Sequence, residues 1–140
     1  MTFDTLSHVH WVAIVVATIA YFALGGIWYS RQVFGTAWMR AGGNIVPEGQ
    51  RPGMATIVGP LVTCFIATIA TAMLAVGTGT HTVAQGLVLG LVVGVGYAVT
   101  LTVLGTVFDQ KPNPPVWGAI NSGYHVIGLL IVGAILGAWR

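Results

Sequence analysis

The sequence predicts an all-α integral membrane protein, a four-helix bundle with a short interfacial helix after the first span. Three observations carry that reading. Asp, Glu, Lys and Arg make up 6% of the chain, where a water-soluble domain spends about a quarter of its residues on charge. Residues 5–30, 52–108 and 112–139 hold none of these four residue types. Within those stretches lie four apolar runs, each close to the 20 or so residues a helix needs to cross about 30 Å of hydrocarbon. Runs such as LVLGLVVGVGYAV are unbroken, whereas a membrane β-barrel alternates over segments of about ten residues.

The 140 residues fit a single transmembrane domain with no soluble module. The leader MTFDTLSHVH has no basic residue, and the apolar run after it continues into Trp and Tyr. It therefore reads as a retained span, residues 11–29, and not as a cleaved signal peptide. In residues 32–41, Phe34, Ala37, Trp38 and Ala41 recur at helical spacing, with Arg31, Thr36 and Arg40 largely on the other side. That pattern predicts a short helix lying on the membrane surface, stopped by Gly42-Gly43. Residues 44–53 are polar and rich in Pro and Gly. The second span is placed at 57–76, the third at 85–108 and the fourth at 117–139. Pro112, Pro114 and Pro115 turn the chain into the fourth span. Trp11 and Trp139 mark one surface and Trp28 and Trp117 the other, as expected of indoles that prefer the headgroup layer.

Basic residues set the expected orientation. Arg31, Arg40, Arg51 and Lys111 fall in loops 30–56 and 109–116, and only Arg140 falls on the opposite side. The positive-inside rule then places both loops in the cytoplasm and both termini outside, in a bacterial cytoplasmic membrane. A net charge of +2, scattered over loops, gives no footprint for nucleic acid.

Glycine spacing is the second signal. Gly86, Gly90 and Gly94 share one face of the third span, and Gly133 and Gly137 repeat the device in the fourth. Small residues at this spacing let helices approach closely in lipid. They seat neighbouring spans within one protomer or form the interface of a homo-oligomer, most simply a dimer. Cys64, the one cysteine, lies inside the second span and reads as a small packed residue.

Polar groups in hydrocarbon need a partner or a purpose. At about 1.5 Å per residue, Tyr21, Thr100 and His125 each lie about 12 Å below the cytoplasmic span ends, with Tyr97 slightly deeper. Asn121 and Ser122 stand one turn from His125. These six residues form the expected intramembrane polar layer, a candidate binding site or passive conduit for a small solute. His125 is the imidazole within a span, so three roles stay open: a hydrogen bond that fixes helix register, a solute contact, or metal or haem ligation. Haem across a bilayer usually takes paired histidines, and only His125 is intramembrane. His8, His10 and His81 share the outer surface, where they read as interfacial residues or, less simply, a metal site. With no phosphate loop, nucleophile elbow or intramembrane carboxylate, the expectation is a non-enzyme with no cofactor and no bound metal. Besides solute binding, the other reading is an accessory subunit packed against a larger membrane complex.

GGIWYSRQVFGTAWM at residues 25–39, VFDQKP at 107–112 and INSGYHVIGLLIVGAILGAW at 120–139 resemble the bacterial domain-of-unknown-function family 1761. The resemblance covers most of the chain and implies a four-span architecture but no reaction. Its signature falls here on Gly26, Trp28, Tyr29, Ser30, Phe34, Gly35 and Trp38, then on Asn121, Gly123 and Tyr124. Trp28-Tyr29-Ser30 serves either as an interface anchor or as one wall of a cytoplasmic vestibule facing Asn121 and Ser122.

Overall fold

A chain so poor in charge has little choice but to satisfy its backbone within helices, and the computed structural model shows that outcome. The structure describes residues 3–50 and 52–139, with no strand among them. A 3₁₀ turn, Phe3–Ser7, leads into α1 (Trp11–Trp28) and the short α2 (Gly35–Gly42). The long α3 covers Met54–Gly77, and the last helix, α6, covers Pro114–Ala138. Between them the third span runs continuously from Val83 to Phe108. It consists of α4 (Val83–Val93), a π-helical segment (Gly94–Val99) and α5 (Thr100–Phe108). Four helices are thus long and apolar enough to cross a bilayer.

Local chemistry sets the helix ends. Thr82 caps α4 by accepting the Gln85 amide at 3.2 Å, while the Gln85 side chain accepts the His81 amide at 2.8 Å. This is close to a capping box. Asn113 caps α6 with Pro114 and Pro115 in its first turn, where proline's missing N–H costs nothing. Helix α2 begins at Gly35 and includes Gly42, so the expected 32–41 segment shifts toward the C-terminus; residues 31–34 form turns. Gly43, at φ 77°, supplies the left-handed stop. Helix α3 starts at Met54, ahead of the expected Ile57, and carries Pro60 in its second turn. That turn lies at an exposed end, and the Thr63 hydroxyl bonds the Pro60 carbonyl.

Helix α6 is the hub, touching α1, α2, α3 and the whole third span. Of its most apolar stretch 44% is buried, against 11% for the third span. The two glycine rows meet each other inside one protomer. A Cβ on Gly86 would overlap the Gly133 carbonyl, one on Gly90 the Leu129 carbonyl, and one on Gly137 the Thr82 carbonyl. Ile14, Val132, Thr68 and Thr71 are the largest fully buried side chains of the core. The outer faces stay apolar: Ile19, Ile66, Val88, Leu101 and Phe108 are all exposed. The described charges lie in the leader, α2 and the loops, with Arg31 near Glu48 and Lys111 3.0 Å from Asp109. Arg51 and Arg140, which enter the orientation argument, lie outside the described residues.

Candidate functional site

The polar groups of α1 and α6 gather where α1 ends and α6 begins. Trp28, on the last turn of α1, donates its indole N–H to the Ile120 carbonyl at 3.0 Å. One residue on, the Tyr29 hydroxyl donates to Asn121 Oδ1 at 2.8 Å, and Asn121 Nδ2 donates to the Trp117 carbonyl at 2.7 Å. The chain then reverses: the amides of Val33 and Gly35 bond the Ser30 carbonyl, and the Phe34 amide bonds that of Trp28. Gly35 is buried in this reversal, where a Cβ would overlap the Tyr29 and Ser30 carbonyls. Phe34 packs on Trp28 with centroids 4.6 Å apart, and Trp38 meets Tyr29 edge-on at 5.2 Å. The Asn113 amide bonds the Ala41 carbonyl, which ties α2 to the start of α6. The result is a latch between the first corner of the chain and its last helix.

Deeper in the bundle, Tyr21 and Tyr124 are 2% and 6% exposed. The Tyr21 hydroxyl lies 2.6 Å from His125 Nδ1, a short contact for a phenol and an imidazole. The Tyr124 hydroxyl contacts Cys64 Sγ at 3.4 Å and the Tyr21 carbonyl at 3.3 Å. Tyr124 is in ring contact with both Tyr21 and Tyr29, at 5.2 Å each. Gly128 makes room for this cluster, since a Cβ there would run into the Tyr21 ring.

A family model described as "Protein of unknown function (DUF1761)" matches residues 12–137, nearly the whole chain. The chain belongs to the DUF1761 family. No curated protein and no solved structure matches it. Within this DUF1761 member, the residues that carry the family resemblance build the latch: Trp28, Tyr29, Ser30, Phe34, Gly35 and Trp38 on one side, Asn121 and Gly123 on the other. Gly123 faces the Trp28 ring, which a Cβ would meet at 3.0 Å. By contrast, Gly26 has open space around its Cβ position.

Of the six residues expected in one polar layer, the structure joins Tyr21 to His125 and Asn121 to Tyr29. Ser122 is near them in sequence, but its hydroxyl is buried without a hydrogen-bond partner among the described residues. Thr100 and Tyr97 do not join. Thr100 is exposed and bonds the carbonyls of Gly96 and Tyr97 on its own helix, and Tyr97 is 66% exposed. Similar depth placed them in the layer; helix rotation removes them. Tyr97 stands three residues after Gly94, which faces α6 at Val126. An α-helix would return Tyr97 near that face, but the wider π turn swings it outward.

Sequence reasoning missed Cys64 and Gly128 as members of the cluster. Gly128 had a usable signal, since Tyr124-x-x-x-Gly128 is itself a helical pair. Cys64 had none, because its contact is with a helix distant in the chain. Among the described residues no three His, Cys, Asp or Glu side chains gather as a metal group. His8 and His10 instead line a cavity of about 100 Å³ with Trp139 and apolar residues of α1, α3 and α6. His81 stands apart in the α3–α4 loop.

Proposed function

We propose that this DUF1761 member is a non-enzymatic membrane protein that works by packing, as an accessory subunit that seats a further transmembrane helix on the outer face of its third span. One observation carries the reading: the third span is the least covered of the four, yet it is not featureless. Among the described residues the Tyr97 hydroxyl finds no hydrogen-bond partner, and the Cβ positions of Gly96 and Gly105 face open space. An unpaired phenol in hydrocarbon gains from a neighbouring helix, and the open backbone at Gly105, about two turns along the span, admits one at short range. The simplest occupant is a second copy, giving a dimer; a subunit of a larger complex uses the same face.

The solute reading draws less support. A surface cavity beside His8 and a groove of about 500 Å³ along α4, bounded by Thr78 and Thr80 of the preceding loop, are lined by neither Tyr21, Asn121 nor His125. The interior at Tyr21 and Tyr124 is filled by rings in contact. The proposal also places the chain in a bacterial cytoplasmic membrane, with loops 30–56 and 109–116 inside and both termini outside. Arg31, Arg40 and Lys111 support that orientation.

Cysteine cross-linking tests the docking face. In a Cys64→Ala background, Gly96→Cys and Gly105→Cys are expected to form disulfide-linked dimers, or adducts with one partner, in native membranes. Gly59→Cys, equally open but on α3, serves as the comparison. Cross-linking no greater at positions 96 and 105 than at 59 would remove the docking face from the account.

A further inference from the structure

Three tyrosines touch in series inside this bundle, and their hydroxyls meet three different acceptors. Tyr29 donates to an amide oxygen, Asn121 Oδ1, at 2.8 Å. Tyr124 faces a backbone carbonyl at 3.3 Å and the Cys64 sulfur at 3.4 Å. Tyr21 alone meets an imidazole, His125 Nδ1, at 2.6 Å, a nitrogen that accepts the phenolic proton in the Nε2–H tautomer. Packing explains why rings cluster, but it does not require one hydroxyl to sit on an imidazole while its neighbours sit on groups that take no proton. The difference matters for one-electron chemistry. A phenol that loses an electron becomes a strong acid, and in hydrocarbon no water stands by to accept its proton. A base within hydrogen-bond reach is then the condition for the oxidised state to persist.

The rings also form a path. Trp38 of α2 meets Tyr29 at 5.2 Å, Tyr29 meets Tyr124 at 5.2 Å, and Tyr124 meets Tyr21 at 5.2 Å. The series runs from the short helix beyond the end of α1 into the core. From this arrangement we infer that Trp38, Tyr29, Tyr124 and Tyr21 form a charge-hopping chain that ends in a proton-coupled redox site, the Tyr21–His125 pair. The oxidant class is a lipid peroxyl radical in the headgroup layer near Trp38. That radical takes one electron from the chain and a proton from interfacial water, giving a lipid hydroperoxide and hydroxide. Tyr21 supplies the electron through Tyr124, Tyr29 and Trp38. Its O–H bond breaks, the proton forms an N–H bond at His125 Nδ1, and a neutral tyrosyl radical faces an imidazolium. This one-electron step is stoichiometric, not a catalytic turnover, and is independent of the docking face on the third span.

Flash oxidation of the full chain in micelles tests it, with a ruthenium polypyridyl photo-oxidant and freeze-quench electron paramagnetic resonance. The wild type is expected to give one long-lived tyrosyl signal. Site-specific 3,5-difluorotyrosine at position 21 keeps the ring and must move that signal by fluorine hyperfine coupling. His125→Gln keeps a polar group but no comparable base, and shortens the radical lifetime by about a hundredfold. Tyr29→Phe lowers the yield, whereas Trp11→Phe, at an exposed indole outside the ring path, leaves it unchanged. A signal untouched by fluorination at position 21, or lost on Trp11→Phe, overturns the inference, because the radical then follows lipid exposure instead of the proton acceptor.

Discussion

The Tyr21 hydroxyl and His125 Nδ1 are a pair whose two halves are unequal in cost. Removing the hydroxyl leaves a half-buried imidazole that can turn toward another group; removing the imidazole strands a buried phenolic O–H. Interhelical hydrogen bonds in membranes are worth about 0.6 kcal/mol on average and rarely above about 1.7, whereas an orphaned buried donor costs about 1–3 kcal/mol. His125→Ala is therefore expected to destabilise the fold more than Tyr21→Phe, as measured by thermal unfolding in mild detergent. The double variant should cost less than the sum of the two, because each single change already breaks the same bond. Equal single effects that add fully would mean that the 2.6 Å contact contributes nothing as a pair. At the corner, Gly35→Ala drives a methyl group into the Tyr29 and Ser30 carbonyls, while Gly26→Ala meets open space. The first is expected to reduce folded yield from membranes severely and the second to leave it unchanged, although both glycines belong to the signature.

At the scale of elements, the third span and α6 are held by backbone proximity more than by interlocking side chains. Gly86→Ala and Gly133→Ala should each cost about 1–3 kcal/mol by overpacking, since neither can add a methyl without moving a facing carbonyl. Gly59→Ala should be neutral or stabilising by up to about 1 kcal/mol, because alanine is the better helix former and nothing crowds that site. Reversible unfolding in detergent–denaturant mixtures separates these cases. The helical class and its four apolar spans were legible in the sequence, because apolar length and the absence of charge are properties of each segment alone. Depth was counted along each segment in the same way, and Tyr21 and His125, counted to one depth, are in contact. Which way a side chain faces was not legible. Thr100 and Tyr97 share the layer's depth but point away from it, since the rotation of α5 depends on the π segment Gly94–Val99. Nothing in GVGYAV distinguishes that segment from an α-helical run. The short helix was expected too early for a related reason: the turn at Ser30–Phe34 is set by the fit of Gly35 against backbone carbonyls, not by hydrophobic periodicity.

For the whole molecule, α6 makes contacts with every other helix while the third span touches little besides α6. The bundle is thus lopsided, closed among α1, α3 and α6 and open along the third span. A lopsided bundle in lipid loses no hydrophobic energy by staying open, since lipid tails cover apolar side chains as well as protein does. What the open face lacks is a partner for the Tyr97 hydroxyl, so association should depend on that group and little on bulk. Tyr97→Phe is expected to weaken self-association by about threefold, one average interhelical hydrogen bond's worth, without changing protomer unfolding. Energy transfer between labelled copies in vesicles reads that constant, and no change would assign the face to lipid alone. Orientation is tested in the same Cys64→Ala background. Cysteines introduced at Glu48 and Gln110 should react with an impermeant maleimide from the cytoplasmic side only, and those at Ser7 and His81 only from outside. Labelling of positions 48 and 110 from opposite sides would contradict the second or the third span as a crossing. Labelling of every position from both sides would show that the chain inserts in both orientations. In that case a two-fold dimer through the third span pairs antiparallel copies, and the Gly105→Cys self-cross-link, which lies off the midpoint of the span, would be lost while the Tyr97 dependence remains.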